Sequence, residues 1–206
     1  MAMDSNHQPS YKGFWALVIT QFQNAFNDNA YKNLILLAAL HAATNINERN
    51  LLNSVIPAVF ILPFLLFSMH AGYLADRFSK RTVMIATKFW EIFAMLLGAL
   101  AFFTGHLWFS IAILFLTGTQ SSFYGPSKYG IIPELIPEKR ISWANGIIEL
   151  TTFLAIIMGT FFGTYLMEVF RGRLHEAMYI LTGLAILGFS TSFLITETPA
   201  ANPTKK

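Results

Sequence analysis

Asp28 and Lys32 stand one helical turn apart inside an otherwise apolar segment, residues 14–41, with Gln21, Asn24, Asn27 and Asn29 close by in the chain. As a helix that segment has about 28 residues and a length of about 42 Å, enough to cross a bilayer. At roughly 100° per residue, Gln21, Asn24, Asp28 and Lys32 fall on one face within about a quarter turn. Ionisable groups at such depth are expensive, and by default they mark a substrate or ion pathway. Two chemistries are open to Asp28. It pairs with Lys32, acid before base at i,i+4, and the charges cancel locally. Alternatively it faces a cavity and meets a substrate ammonium, a coupling cation or a base from another helix. The crowding of Asn24, Asn27 and Asn29 onto the same turns favours the cavity, because an isolated ion pair has no use for them.

Two further groups invite the same question. Lys128 follows Gly125 and Pro126, which should end a helix and expose backbone groups to an anion. A lysine there suits a phosphate as a mobile point charge. Its plainer role is to pair with Glu134 or to add to the basic charge of its loop. Glu149, with Asn145 one turn before it and Thr152 nearly one turn after, makes a narrow polar stripe that lines a cavity or meets water near the membrane surface. Lys88 is close enough to a helix end to snorkel.

Catalytic signatures are missing from the chain. No His is followed five positions later by Asp, and there is no G-x-S-x-G, Walker loop or H-E-x-x-H. Cysteine is absent, and the five histidines are scattered singly, so the sequence implies no metal and no cofactor. With 54% hydrophobic and 12% charged residues and a mean hydropathy of +0.50, the chain has too little charge to clothe a soluble globule. A pI near 9.2 would suit nucleic acid, but the basic residues sit in short clusters between apolar segments, where membrane orientation accounts for them.

These groups need helices to position them. Apolar runs predict six transmembrane helices, near residues 14–41, 51–75, 82–104, 107–124, 141–169 and 177–195. Pro57 and Pro63 should bend or loosen the second. A tail, residues 1–13, precedes the six-helix domain of residues 14–195, and residues 196–206 read as the start of a linker. With both termini on one side, Lys12, Arg77, Lys80, Arg81, Lys128, Lys139, Arg140, Lys205 and Lys206 share that side against Arg49, Arg171 and Arg173, and nine against three places the termini in the cytoplasm. Ala155, Gly159 and Gly163 repeat at four-residue spacing and offer a small-residue face to a neighbouring helix. Trp15, Trp90, Trp108 and Trp143 read as interfacial anchors, mostly near helix ends.

Residues 72–81, G-Y-L-A-D-R-F-S-K-R, join the second and third segments. Gly72 should allow close helix approach there, Asp76 can accept from a neighbouring basic group, and Arg77, Lys80 and Arg81 hold the loop inside. The string resembles the loop signature of the major facilitator superfamily. G-P-S-K-Y-G-I-I-P-E-L at residues 125–135, F-N-D-N-A-Y-K in the first segment and A-N-G-I-I-E at residues 144–149 are similar to its lysophospholipid transporter branch, which also occurs fused to acyltransferase and ligase domains.

The resemblance covers essentially the whole chain as the N-terminal half of a twelve-helix transporter, a 3+3 inverted repeat. It implies a membrane protein of the bacterial inner membrane, not an enzyme, that moves lysophospholipid to the cytoplasmic leaflet by alternating access. Gly72, Asp76, Arg77 and Arg81 would then gate, and Asn24, Asn27, Asp28, Lys32, Lys128, Asn145 and Glu149 would line the pathway. Its partners would be membrane lipids, the lysophospholipid and a second six-helix half or fused domains. A facilitator of small polar solutes or drugs would share these helices. The membrane part of a fused enzyme would too, with its catalytic residues beyond Lys206.

Overall fold

The computed structural model describes residues 10–199. Most of the expected tail, the end of the expected linker, and Lys205 and Lys206 lie outside the described residues. Among the described residues seven helices follow one another: α1 (Tyr11–Ala42), α2 (Ile46–Arg77), α3 (Lys80–Thr104), α4 (Leu107–Gly130), the short α5 (Ile132–Leu135), α6 (Ile141–Val169) and α7 (Leu174–Ser192). A 3-10 turn, Glu138–Arg140, leads into α6, and no strand occurs among the described residues.

The helix ends follow local chemistry. Ser10 caps α1 by accepting from the Gly13 amide at 3.2 Å. At the start of α2, Asn45 accepts from the Glu48 amide at 2.9 Å while Glu48 accepts from the Thr44 amide at 2.8 Å, and this lengthens α2 back to Ile46. Gly105, in the left-handed region at φ 70°, ends α3. One expectation about proline is corrected: α4 continues through Gly125 and Pro126 to Gly130, where a stop was expected. α2 likewise runs unbroken through Pro57 and Pro63. A proline costs one intrahelical bond, and packing against neighbouring helices outweighs that loss.

The six long helices pair in a regular way. α1 packs against α6 and α2 against α4; α3 packs against α7; α3 meets α4 as α7 meets α1. Exchanging α1 with α4, α2 with α6 and α3 with α7 maps this set of contacts onto itself. That is the pattern of two repeated three-helix units.

By length and hydropathy, α2, α3 and the Glu138–Val169 stretch that contains α6 are apolar enough to cross a membrane. α1 and α4 are long but carry amides, hydroxyls and charges, and those groups point inward: Thr20, Gln21, Asn24, Asn27 and Asp28 of α1 are buried, as are Gln120, Ser121, Ser122 and Ser127 of α4. The outward faces are apolar. Leu65, Met69, Phe103, Phe161 and Leu194 are among the exposed large hydrophobics, the arrangement a hydrocarbon solvent calls for.

Two apolar clusters fill the bundle. One, around Tyr31, Leu34, Met95, Leu114 and Leu181, lies toward the α3–α4 turn; the other, around Phe14, Leu17, Met84, Ile132 and Ile148, lies toward α5. Between them runs the polar belt of α1. The small-residue face of α6 is where α1 comes closest. A Cβ at Gly159 would stand 2.3 Å from the Phe26 carbonyl oxygen, and one at Gly163 would stand 2.4 Å from that of Ala30. Gly72, in contrast, has open space around it among the described residues.

Gly163→Val must therefore push α6 off α1. We expect it to lower the unfolding free energy in detergent by about 1–3 kcal/mol or more. Gly183→Ala meets nothing and should be neutral or stabilising by roughly 0.5–1 kcal/mol, from helix propensity alone. Equal unfolding midpoints for Gly163→Val and the parent chain would refute the close contact.

Candidate functional site

The polar face of α1 is the axis of a hydrogen-bonded network reaching α3 on one side and α4 on the other. Asp28 is buried, and its Oδ2 accepts from Asn24 Nδ2 at 3.2 Å and from the Ser121 hydroxyl of α4. Asn24 Oδ1 accepts from Gln120 Nε2 at 2.9 Å and from Lys88 Nζ of α3 at 3.3 Å. Lys88 also donates to Gln23 and forms an ion pair with Glu91 one turn on. Glu91 accepts in turn from Gln23 Nε2 at 3.1 Å and Asn27 Nδ2 at 2.9 Å. Among the described residues, Asp28 Oδ1 and Asn27 Oδ1 are buried acceptors with no hydrogen-bond partner.

In front of this network lies a cavity of about 360 Å³, whose wall includes Asn24, Asp28, Ser121, Tyr124, Lys128 and Tyr129. Its charged groups are the Asp28 carboxylate and the Lys128 ammonium, the latter 4.4 Å from the centroid of the Tyr129 ring. The cavity can thus offer an anionic oxygen and a cation to one ligand. The aromatic rings beside Lys128 suit the apolar parts of that ligand.

Several sequence expectations are resolved by this arrangement. Lys32 forms no ion pair with Asp28. Its Nζ donates to Asn29 Oδ1 at 2.6 Å and lies 5.1 Å from the centroid of the Phe60 ring, on the half-exposed side of α1. Asp28 turns the other way because Asn24 and Ser121 hold its carboxylate against α4. Lys88 does not snorkel; it is fully buried, because Glu91 gives it a partner nearer than the membrane surface. Lys128 does not pair with Glu134, which is taken by Lys80 at the start of α3.

Asn27 faces Glu91, behind the cavity wall. Glu149, half-buried, accepts from the Tyr129 hydroxyl and so braces the wall from outside, with Asn145 half-buried one turn before it. Thr152 donates to Gln21 at 2.8 Å and ties α6 to α1.

The loop residues form a second cluster. Arg77 donates to the Tyr73 hydroxyl at 2.6 Å, and Asp76 is half-buried beside it. Arg81 donates to the Phe193 carbonyl at 2.8 Å and to Glu197 at 3.3 Å. With Lys80 bound to Glu134, the start of α3 is fastened both to α5 and to the end of α7.

The residues that sequence reasoning passed over are Glu91, Gln23, Gln120 and Ser121. A signal for the first was present: Lys88 and Glu91 at i,i+3 put an acid and a base on one face of an apolar helix.

Removing one member of a buried pair leaves the other uncompensated. Lys88→Met or Glu91→Gln alone should cost about 3–5 kcal/mol of unfolding free energy, and the double variant Lys88→Met/Glu91→Met should recover most of it. Chemical unfolding of the purified protein in detergent would measure this. Additive losses in the double variant would sink the pairing.

Comparison with known proteins agrees with the helix arrangement. Residues 17–206 match the family model described as Major Facilitator Superfamily. The chain is 33% identical over 157 residues to the lysophospholipid transporter LplT of Photorhabdus laumondii, covering 76% of this chain and 37% of that protein. It is 31% identical over 194 residues to LplT of Cronobacter sakazakii, covering 93% of this chain and 45% of that protein. It thus spans less than half the length of these curated relatives. Among solved structures, a POT family transporter in complex with a thioalcohol-conjugated peptide superposes with a TM-score of 0.70 at 15% identity, over 95% of this chain and 42% of that one. At that identity the likeness concerns the fold alone. The matched family, the repeated three-helix pairing and the apolar outer faces agree with one another: the chain is an integral membrane protein and belongs to the major facilitator superfamily.

Proposed function

We propose that this chain is the N-terminal half of a lysophospholipid transporter. It works with a second six-helix half to deliver lysophospholipid to the cytoplasmic leaflet of the bacterial inner membrane. The single observation that carries this reading is the cavity in which an unpartnered carboxylate oxygen of Asp28 and the ammonium of Lys128 share one wall. A zwitterionic headgroup satisfies both. Asp28 and its amide neighbours engage the headgroup ammonium or a coupling cation, Lys128 takes the phosphate, and the acyl chain stays in or beside lipid. The relatives named LplT support the substrate class.

In the same reading residues 14–195 are the six-helix domain, residues 1–13 its cytoplasmic tail and residues 196–206 the start of a cytoplasmic linker. Alternating access is a rocking of this half against the other. Asp76, Arg77 and Arg81 hold one end of the cycle through the fastened start of α3, with Gly72 part of the same loop. Lys32, Asn145 and Glu149 flank the pathway, while Asn27 sets the Glu91 side of the network.

In liposomes containing the full-length transporter, Asp28→Ala and Lys128→Ala should each lower lysophospholipid uptake by about tenfold or more, the equivalent of about 1.4 kcal/mol. Unimpaired uptake in both variants would overturn the assignment, and displacement of a bound probe by sugars or drugs but by no lysolipid would favour a different substrate class. The orientation has its own test, because the chain has no cysteine. A cysteine placed by Ser79→Cys should react with a membrane-impermeant maleimide only from the cytoplasmic side, and one placed by Asn47→Cys only from the opposite side.

A further inference from the structure

A second concavity lies on the far side of α4 from the Asp28 cavity. It has a volume of about 560 Å³ and is formed by the end of α2, the first half of α3 and the second half of α4. Val83, Ala86 and Trp90 make one apolar stripe along α3, and Leu116 and Phe123 make the facing stripe of α4. Three of its polar members, Thr87, Thr119 and Gln120, are already engaged. Thr87 donates to the Met84 carbonyl at 2.8 Å, Thr119 to that of Phe115 at 2.8 Å, and Gln120 to Asn24 at 2.9 Å. With those groups satisfied from behind, the surface left to the groove is predominantly apolar, and hydrocarbon fits it.

Its dimensions and its rim say which hydrocarbon. From Thr82 to Trp90 the groove follows α3 for about 12 Å at roughly 1.5 Å per residue, close to the depth of one leaflet of a bilayer whose core is about 30 Å thick. It opens at Phe78, in the turn between α2 and α3. There the exposed Arg77 guanidinium lies 5.7 Å from the Phe78 ring centroid, and Lys80 and Arg81 follow it in the chain. A guanidinium at the mouth of a leaflet-deep apolar groove is complementary to a phosphate esterified to an acyl chain.

We propose that this groove is a binding site for one acyl chain of an anionic diacyl phospholipid of the leaflet on that side, with the lipid phosphate on Arg77. The bilayer presents such lipids at far higher concentration than any transported molecule, so mass action keeps the groove filled. The seated chain bears on Gln120, whose amide also holds Asn24 of the Asp28 network, so the lipid props the wall that the two concavities share. The site requires only that the chain lie in a membrane, and it stands whether or not lysophospholipid is the transported substrate.

The test uses the 206-residue chain with Trp15, Trp108 and Trp143 replaced by phenylalanine, leaving Trp90 as its single tryptophan. It is reconstituted in phosphatidylcholine vesicles holding a small fraction of phosphatidylglycerol brominated on its chains. Quenching of Trp90 should exceed, by several-fold, that of a companion single-tryptophan chain retaining Trp108. Arg77→Gln should reduce the excess. Ala86→Phe, at a position exposed to the groove and outside the core, should abolish it. Quenching of Trp90 no greater than that of Trp108 would overturn the proposal. So would excess quenching by brominated lysophosphatidylglycerol but none by the diacyl lipid, or an excess that survives Ala86→Phe.

Discussion

A lysine at bilayer depth must be either near enough to the surface to reach water or paired where it stands, and Lys88 is fully buried against Glu91. Taking two charges out of water is costly, and their attraction offsets that cost only when further hydrogen bonds satisfy what remains of each. Those bonds come from α1: Gln23 and Asn24 accept from Lys88, and Gln23 and Asn27 donate to Glu91. The α1 amides are thereby committed to fixed orientations. With its oxygen turned to Lys88 and Gln120, Asn24 must turn its NH₂ to Asp28. Asp28 is thus oriented from behind by a pair it does not touch, and its other oxygen is left facing the interior without a partner.

The packing around this belt serves the same end. α6 lies against the α1 backbone because Gly159 and Gly163 leave no side chain between them, and Gly118 lets α4 approach the Phe60 carbonyl of α2 in the same manner. Such close approach gives dispersion contact where hydrocarbon on all sides removes the hydrophobic drive for helices to associate. α1 is therefore clamped along its length while remaining polar inside. At one end of the bundle, the contacts of Lys80 with Glu134 and of Arg81 with the Phe193 carbonyl tie the start of α3 to α5 and α7, leaving the network little freedom to relax by sliding.

The sequence made much of this legible. The six long helices, the two three-helix units and the family could be read from apolar runs and from strings such as G-Y-L-A-D-R-F-S-K-R, and the helix arrangement and the matched family model agree with them. The small-residue face of α6 was readable because a four-residue period of Ala and Gly has one structural use in an apolar helix. Helix ends were less readable: α2 begins at Ile46 through a reciprocal cap, and α4 passes through Gly125 and Pro126, where local signals argue for a stop. Propensity is a local quantity, and in a bundle the neighbours decide.

By itself the sequence determined that Asp28 lies at depth among amides, since depth and helical face follow from position along one helix and need no partner. Only the tertiary structure decided whom each charge meets. Lys32, one turn from Asp28, turns to Asn29 and Phe60; Glu134 goes to Lys80; Lys88, apparently free to snorkel, is held by Glu91 and α1. Those choices depend on the packing of α1 against α3 and α4, residues some sixty to a hundred positions apart, and on the steep cost of an unpaired charge away from water. A one-dimensional pattern fixes neither the distance nor the direction of such contacts.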